Sequence, residues 1–387
     1  MVNPSYTLAM ATRAAELRAQ GEAVIDFGVG EPDFNTPPHI IQAAKQAMDD
    51  GFTKYTAAPG FLELREAICR KLERENNLYF TPDQILVSNG EKQSIYNACQ
   101  VLFQEGDKVI VFTPYWVSFP EFVRLSGAEP LFVKTLPDQQ FEPDFADLEV
   151  KIQASIKGVV INSPSNPTGG VWSTAAIQRL LALAAKHGWI VIADECYERL
   201  IYEGSFVSAA AINDHAAEIV TCMSFSKTYA MTGWRIGYAA GSKIIINAMT
   251  KIQGQSTSCA NAIGQRAAIA ALEGDQSLLT EMKQQFQERR DLMVQLLNTL
   301  PHVSCLLPRG AFYAFPDMSA YLGKTVDGQP LDSSIALSDY LLDSVRVVTV
   351  PGDGFGAPGY LRFSYATNLE TIKTGIERVR TALAHLH

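Results

Sequence analysis

The sequence predicts an α/β protein with a doubly wound, mainly parallel sheet and a second, smaller α+β domain. Short apolar runs alternate with segments of helical periodicity over most of the chain. Most of these runs are continuously apolar, which is typical of strands covered on both faces. Strands that alternate with helices favour a parallel sheet. Near residue 276 the pattern changes to one long polar helix followed by short strands.

Seven apolar runs are expected to form the strands of the large sheet. They are residues 84–89, 108–112, 130–134, 157–162, 189–194, 218–223 and 234–239. Between the fourth and fifth runs lies a helical segment with clear ends. Ser173 is a suitable N-cap there, and Gly188 is a suitable stop.

The C-terminal part of the chain has its own order of elements. After the long helix, strands are expected at residues 312–315, 346–350 and 360–366, and a final helix near 368–385. We therefore expect a large domain at residues 39–279. A small discontinuous domain is expected from residues 1–38 together with residues 280–387.

Composition excludes several classes of protein. A chain of 387 residues can bury a large core without disulfides or metals. Its net charge of −9 argues against a protein that binds nucleic acid or anionic membranes. The apolar runs are too short for a membrane-spanning helix, and the N-terminal residues do not resemble a secretory signal. Six cysteines without metal-ligand spacing indicate a reduced, cytoplasmic protein with no metal site.

Polar residues follow three neighbouring predicted strands, at the edge where an α/β sheet binds ligands. Asn166 follows the fourth strand and Asp194 ends the fifth, whereas Lys227 and Arg235 follow the sixth. Pyridoxal phosphate (PLP) needs such groups: a Lys for its aldehyde, a carboxylate for its pyridine nitrogen, and donors for its phenolic oxygen and phosphate. Each loop alone also fits a plain turn, a capping group or a solvated charge.

The chain resembles the fold-type I PLP aminotransferases of class I, and within them the bacterial and plant aspartate and aspartate/prephenate subgroup. The resemblance implies the PLP transferase fold, PLP as cofactor, and a homodimer with shared active sites. It rests on motifs that occur in the family order: FGVGEPDFNTP (27–37), KYTAAPG (54–60), SNGEKQ (88–93), TPYWVSFPE (113–121), NSPSNPTGG (162–170), ADECYE (193–198), SFSKTYAMTGWRIGY (224–238), GAFYAF (310–315) and RFSYA (362–366).

The resemblance implies a role for each residue around the cofactor. Lys227 bonds covalently to PLP and, once released, moves a proton between the substrate Cα and the cofactor. Asp194 pairs with the pyridine nitrogen, Tyr197 and Asn166 contact the phenolic oxygen, and Trp116 stacks on the ring. The phosphate is held by Ser224, Ser226, Arg235, the helix start at Gly90, Glu91 and Lys92, and Tyr55 of the neighbouring subunit.

Substrate-binding residues follow from the same resemblance. Arg362 clamps the α-carboxylate, with Gly30, Trp116 and Asn166 beside the substrate. Residues 254–265 lack the Arg that binds the distal carboxylate in the animal and enterobacterial aspartate enzymes. In the bacterial and plant subgroup a Lys and a Thr receive that carboxylate, which here implies Lys92 and Thr7. Lys92 is an unfavourable charge at a helix N-terminus, which slightly favours a functional role.

Alternatives remain for single residues and for the function. Trp116 fits a core aromatic, Arg362 a surface ion pair, Tyr55 a turn aromatic and Lys92 a surface cation.

The leading function is ping-pong transfer of the amino group of L-aspartate to 2-oxoglutarate, with prephenate as a further acceptor. A PLP-dependent carbon–sulfur lyase, or an aminotransferase of another amino acid, fits the same cofactor residues. A DNA-binding sensor and a nicotinamide dehydrogenase are disfavoured, because no DNA-binding extension and no complete GxGxxG unit is visible.

Overall fold

The computed structural model describes residues 6–326 and 328–387, with side chains in the first helix described from residue 9 onward. The helices are α1 (Tyr6–Ala19), α2 (Pro38–Asp49), α3 (Leu62–Asn76), α4 (Glu91–Leu102), α5 (Phe119–Leu125), α6 (Phe145–Val150), α7 (Thr174–His187), α8 (Phe225–Thr228), α9 (Lys243–Ser256), α10 (Ala262–Glu273), α11 (Ser277–Leu297), α12 (Ser334–Val345) and α13 (Leu369–Leu383). The strands are β1 (Ile25–Asp26), β2 (Ile85–Ser88), β3 (Lys108–Thr113), β4 (Glu129–Leu136), β5 (Glu142–Pro143), β6 (Ile156–Asn162), β7 (Ile190–Asp194), β8 (Ile219–Ser224), β9 (Gly237–Ala240), β10 (Tyr313–Ala314), β11 (Thr325–Val326), β12 (Gln329–Pro330), β13 (Val347–Val348), β14 (Val350–Pro351) and β15 (Leu361–Ser364).

The central sheet has eight strands in the order β2-β9-β8-β7-β6-β3-β4-β5. Neighbours from β8 through β4 pair in parallel, whereas β9 is antiparallel to both of its neighbours. The predicted mainly parallel sheet is therefore confirmed. The predicted start of the last strand at residue 234 is wrong, because Trp234 ends a short 3-10 turn and Arg235 has a left-handed φ of 56°. That conformation ends the turn before β9 begins.

Helices cover both faces of this sheet. On one face, Leu180 and Leu181 of α7 share an apolar core with Val159 of β6. On the other face, Ile95 of α4 shares a core with Val160, the next residue of β6. Successive strand residues point to opposite faces, so both kinds of position must be apolar. This explains why the strands lack an alternating polar pattern. The Ser173 side chain accepts a bond from the backbone of α7, and Gly188 ends that helix in a left-handed conformation, as predicted.

A separate core joins the C-terminal elements to the N-terminal segment. It contains Phe286 of α11, Leu337 of α12 and Val379 of α13, together with Phe27. Strand β1 pairs in parallel with β13, so the N-terminal segment is bonded to the C-terminal part of the chain. The proposed division of the chain at residues 39 and 279 stays a prediction.

Among the described helices, none combines the length and the apolar character that crossing a membrane requires.

Candidate active site

A cavity of about 480 Å³ lies at the carboxyl ends of β6, β7 and β8. These strands are adjacent and parallel, so the residues that follow them meet at one edge of the sheet. Most residues predicted to bind cofactor or substrate line this cavity: Gly30, Glu91, Lys92, Trp116, Asn166, Asp194, Tyr197, Ser224, Ser226, Lys227, Arg235 and Arg362.

Asp194 supplies a buried carboxyl group at the end of β7. Its Oδ1 accepts a hydrogen bond of 3.2 Å from the backbone N–H of Cys196. Burial raises the pKa of Asp194, and hydrogen bonds from Cys196, Glu91 and Asn162 oppose that increase. Asn162 is available because it is the register partner of Asp194 on β6. Asp194 is thus a carboxyl group in need of a cationic partner.

Lys227 lies on α8, the short helix that follows β8. Ser224 caps this helix by accepting a hydrogen bond of 3.0 Å from the backbone of Ser226. The Lys227 ammonium donates to the backbone carbonyl of Gly30. Burial lowers the pKa of Lys227, while Cys196 and other acidic groups oppose the decrease. A lower pKa increases the fraction of neutral amine, which is the form that attacks an aldehyde.

The start of α4 and Arg235 form a cradle for an anion. Gly90 precedes the helix with a φ of 80°, and a Cβ built there would lie 2.2 Å from Nη2 of Arg235. A Cβ on Gly237 would lie 2.2 Å from the backbone nitrogen of Glu91. Only glycine permits these approaches. First-turn backbone N–H groups of a helix lack intrahelical acceptors and attract anions such as phosphate.

Arg362 is a cation buried to 2% exposure. Its guanidinium donates to Asn166 Oδ1 at 2.9 Å and to the backbone oxygen of Gly28 at 2.7 Å. Within the described residues it forms no ion pair, and its Nε has no hydrogen-bond partner. Burial lowers the pKa of Arg362. The alternative of a surface ion pair is therefore wrong, and the buried charge lacks an anion.

Tyr313 is a cavity residue to which the sequence prediction gave no role. Its hydroxyl lies 2.8 Å from that of Tyr197, and the Arg362 guanidinium carbon lies 4.5 Å from the centre of its ring. Burial raises the pKa of both tyrosines, so their hydroxyls stay protonated. The sequence signal for Tyr313 is the motif at residues 310–315, one of the motifs that carry the family resemblance. Pairing of β10 with β15 brings this motif to Arg362.

Lys92 and Trp116 lie together at the cavity wall. The Lys92 ammonium is 4.9 Å from the centre of the Trp116 ring. Partial desolvation and then Arg235 lower the pKa of Lys92. Trp116 also packs edge-on against Phe119 at 5.3 Å, so it belongs to the core and to the cavity at once.

Two of the predicted site residues that the structure describes, Gly90 and Tyr55, do not line the cavity. Gly90 directly precedes Glu91 without reaching the cavity surface. Tyr55 is 90% exposed and borders a separate surface depression with Thr257 and Ile263. The side chain of Thr7 lies outside the part of the chain that the structure describes.

The residues present fit PLP group by group. The cradle at α4 and Arg235 suits the phosphate, and Asp194 suits a protonated ring nitrogen. Asn166 and Tyr197 suit the phenolic oxygen, and Lys227 suits the aldehyde. In addition, Arg362 offers an unpaired charge for a substrate carboxylate.

Comparison with known proteins agrees with this fit. A family model described as aminotransferase class I and II matches residues 22–379. The chain is 43% identical to the aspartate/prephenate aminotransferase of Nitrosomonas europaea, an alignment that covers 99% of this chain and 98% of that one. It is also 43% identical to the aspartate aminotransferase of Geobacillus stearothermophilus, over 98% and 96% of the two chains.

Solved structures give the same result. The aspartate aminotransferase of Rhizobium meliloti superposes with a TM-score of 0.95 at 39% identity, covering 100% of this chain and 97% of that one. The Thermus thermophilus aspartate aminotransferase with maleate has a TM-score of 0.92 at 38% identity, over 98% and 97% of the chains. The chain therefore belongs to the class I and II aminotransferases, and it is an enzyme whose cofactor is pyridoxal phosphate.

Proposed function

We propose that the enzyme transfers the amino group of L-aspartate to 2-oxoglutarate by a ping-pong mechanism, and that it also accepts prephenate. The observation that carries this proposal is that the cavity contains two cations, Arg362 and Lys92, in addition to Lys227 and Arg235, which suit the PLP aldehyde and phosphate. Arg362 has no anion of its own among the described residues, and Lys92 lies over the Trp116 ring in the same cavity. A dicarboxylic acid supplies one carboxylate for each cation.

The names of the relatives support this choice of substrate. Several are aspartate or aspartate/prephenate aminotransferases, and the Thermus structure is described with maleate, a dicarboxylate. Thr7 is proposed to bind the distal carboxylate with Lys92.

Each side chain has a defined task in the proposed reaction. Bound PLP supplies an aldehyde for covalent attachment of an amine and a ring that accepts electrons from the substrate Cα. The planar fork of Arg362 orients the α-carboxylate through two hydrogen bonds. Lys227 Nζ would take the proton from Cα and deliver it to the cofactor carbon that carried the aldehyde. Asp194 keeps the proton on the pyridine nitrogen, and Tyr197 and Asn166 donate to the phenolic oxygen.

A half-reaction experiment tests the reaction type. Addition of L-aspartate alone should change the visible absorption of the holoenzyme, and subsequent addition of 2-oxoglutarate should restore it. If aspartate caused no spectral change, L-aspartate would be refuted as the amino donor. Release of pyruvate and ammonia from cystathionine without any keto acid would support the lyase alternative instead.

Substitution Lys92→Ala tests the distal-carboxylate site. We expect kcat/KM for aspartate to fall at least about tenfold, since a hydrogen bond to a charged group contributes about 1.5–3 kcal/mol. The kcat/KM values for aromatic and aliphatic amino acids should fall much less. Lys243→Ala is the matched control, because Lys243 is also a first-turn helix cation but lies outside the cavity. An equal loss for all substrates would contradict the proposed role of Lys92.

We infer further that the enzyme is a homodimer with shared sites. Tyr55 is 90% exposed, and the surface depression that it borders also contains apolar Phe52 and Ile263. In the dimer Tyr55 would contact the PLP phosphate of the partner subunit. The cytoplasmic location inferred from the cysteine pattern stays a prediction.

A further inference from the structure

Glu91 carries a carboxyl group at a position where only the backbone was expected to act. It is the first residue of α4, and its side chain is 7% exposed and lines the cavity. One carboxylate oxygen of Glu91, one of Asp194 and the Cys196 sulfur lie within 4.8 Å of one another. Oε1 of Glu91 has no hydrogen-bond partner among the described residues. The Glu91 side chain is therefore buried near Asp194, and its Oε1 makes no hydrogen bond among the described residues.

Two buried carboxyl groups at this distance do not both ionise readily, since each charge opposes the other and water is excluded. Burial and then the Asp194 charge raise the pKa of Glu91 well above its usual range. The hydrogen bond from Glu91 lowers the pKa of Asp194, against the effect of burial. The larger rise is at Glu91, so a proton shared by the two carboxyl groups favours Glu91 as its carrier.

The other titratable groups around Glu91 are consistent with this arrangement. Cys196 follows β7, Cys222 lies on β8 and Lys227 lies on α8. Burial raises the pKa of both thiols, so they stay neutral. Lys227 is the nearby cation, and its own pKa is lowered by burial.

We propose that Glu91 is a positioning residue that acts through Asp194: as a neutral acid it donates a hydrogen bond that keeps Asp194 ionised and oriented into the cavity. The pair then carries one negative charge, which matches the single positive charge of a protonated pyridine nitrogen. This inference rests on the proposed role of Asp194 at that nitrogen. A second negative charge on Glu91 would be left without a counter-charge.

Two substitutions at Glu91 distinguish a neutral hydrogen-bond donor at this position from a negatively charged carboxylate. Glu91→Gln keeps a neutral donor of the same length, so the Kd for PLP should stay within about twofold of the parent enzyme. Glu91→Ala removes the donor, and the Kd for PLP should rise about tenfold, as expected for loss of a hydrogen bond to a charged group. Both Kd values are measured by titrating the cofactor-free protein. The melting temperature of each cofactor-free variant shows whether that variant is folded.

Infrared spectroscopy of the holoenzyme at neutral pH supplies a measurement that a space-filling role would not change. The carbonyl stretch of a protonated carboxylic acid should be present in the parent enzyme and weaker in Glu91→Gln. Glu195→Gln is the matched control, because Glu195 is another buried acid with a pKa raised to about 8 by burial. One carboxyl oxygen of Glu195 accepts hydrogen bonds from Ser208 and from the backbone of Ala209. This control should lose its own acid band and leave the affinity for PLP unchanged.

Each result decides the inference. Equal weakening in Glu91→Gln and Glu91→Ala would show that Glu91 acts as an anion, and no weakening in either would show that it only fills space. An unchanged acid band in Glu91→Gln would also overturn the proposal. Asp194→Asn separates this inference from the function it rests on: normal PLP affinity in that variant would refute the role of Asp194 itself.

Discussion

Arg362 is a cation that the protein buries without an anionic partner among the described residues. Its two hydrogen bonds go to uncharged oxygens, on Asn166 and on the backbone of Gly28. Burying a charge in this way is costly, and the cost is offset when a ligand supplies the missing charge. The unsatisfied Nε is a direct sign of that requirement.

Arg362→Lys tests this argument at the residue scale. Lys keeps the charge but loses the planar fork, so kcat/KM for aspartate should fall about a hundredfold, mainly through KM. Arg290→Lys is the control: Arg290 is 3% exposed, but it is paired with Asp291 and bonded to the backbone of Pro308. That variant should melt at a lower temperature with KM unchanged. Similar changes of KM in both variants would contradict the assignment.

The anion cradle at the N-terminus of α4 depends on the backbone conformation of Gly90 and on the position of the Arg235 side chain. Gly90 adopts a positive φ there, and the Arg235 guanidinium crosses directly over it. The element therefore depends on the absence of a Cβ, a requirement that the motif at residues 88–93 does not explain by itself.

Gly90→Ala should weaken PLP binding, because the new methyl group displaces Arg235 from the cradle. Gly188→Ala is the control, since Gly188 also has positive φ but a Cβ there meets no atom within 4 Å. Gly188→Ala should lose about 1–2 kcal/mol of stability, the usual cost of a left-handed residue. Gly90→Ala should lose more, because its φ of 80° and ψ of 155° lie in a region that is essentially restricted to glycine. Only Gly90→Ala should raise the Kd for PLP, in a titration of the cofactor-free protein. Equal affinities would show that Arg235 tolerates displacement.

The main strands of the large sheet follow closely from the sequence up to the end of β8. The first six predicted strands overlap β2, β3, β4, β6, β7 and β8, because strands covered on both faces are continuous apolar runs, whereas the short strands β1 and β5 were not predicted. The seventh prediction failed at its start. The apolar residues Trp234 and Ile236 suggested a strand, but Arg235 turns left-handed to bring its guanidinium to α4.

At the scale of the whole molecule, burial of Glu195 couples folding to pH. Its pKa is raised from 4.5 to about 8 in the folded protein by burial. The folded state therefore binds the proton more tightly than the unfolded state. This contribution to stability is complete below pH 4.5 and is lost as the pH rises through about 8.

Glu195→Gln should remove that contribution. Between pH 4.5 and about 8, the melting temperature of the parent protein should fall more than that of the variant. Thermal unfolding of both proteins across this range provides the measurement. Parallel curves would show that Glu195 is already ionised in the folded protein.

The proposed dimer is tested by mixing two defective proteins. Tyr55→Ala lacks the residue offered to the partner, and Lys227→Ala lacks the amine that reacts with PLP. A mixed dimer contains one complete site, with Lys227 from the first protein and Tyr55 from the second. Unfolding and refolding the two together should therefore give more activity than refolding either alone. No gain would argue against shared sites.

The sequence by itself determined the class of fold, the family, the cofactor and the types of residue at the ends of β6, β7 and β8. These properties depend on residue type and on order along the chain. Only the tertiary structure decided that Tyr313 meets Tyr197, that Glu91 lies against Asp194 and that Arg362 is buried without an ion pair among the described residues. Tyr197 and Tyr313 are 116 positions apart, so their contact inside one shared hydrophobic core arises from tertiary packing and not from any local pattern.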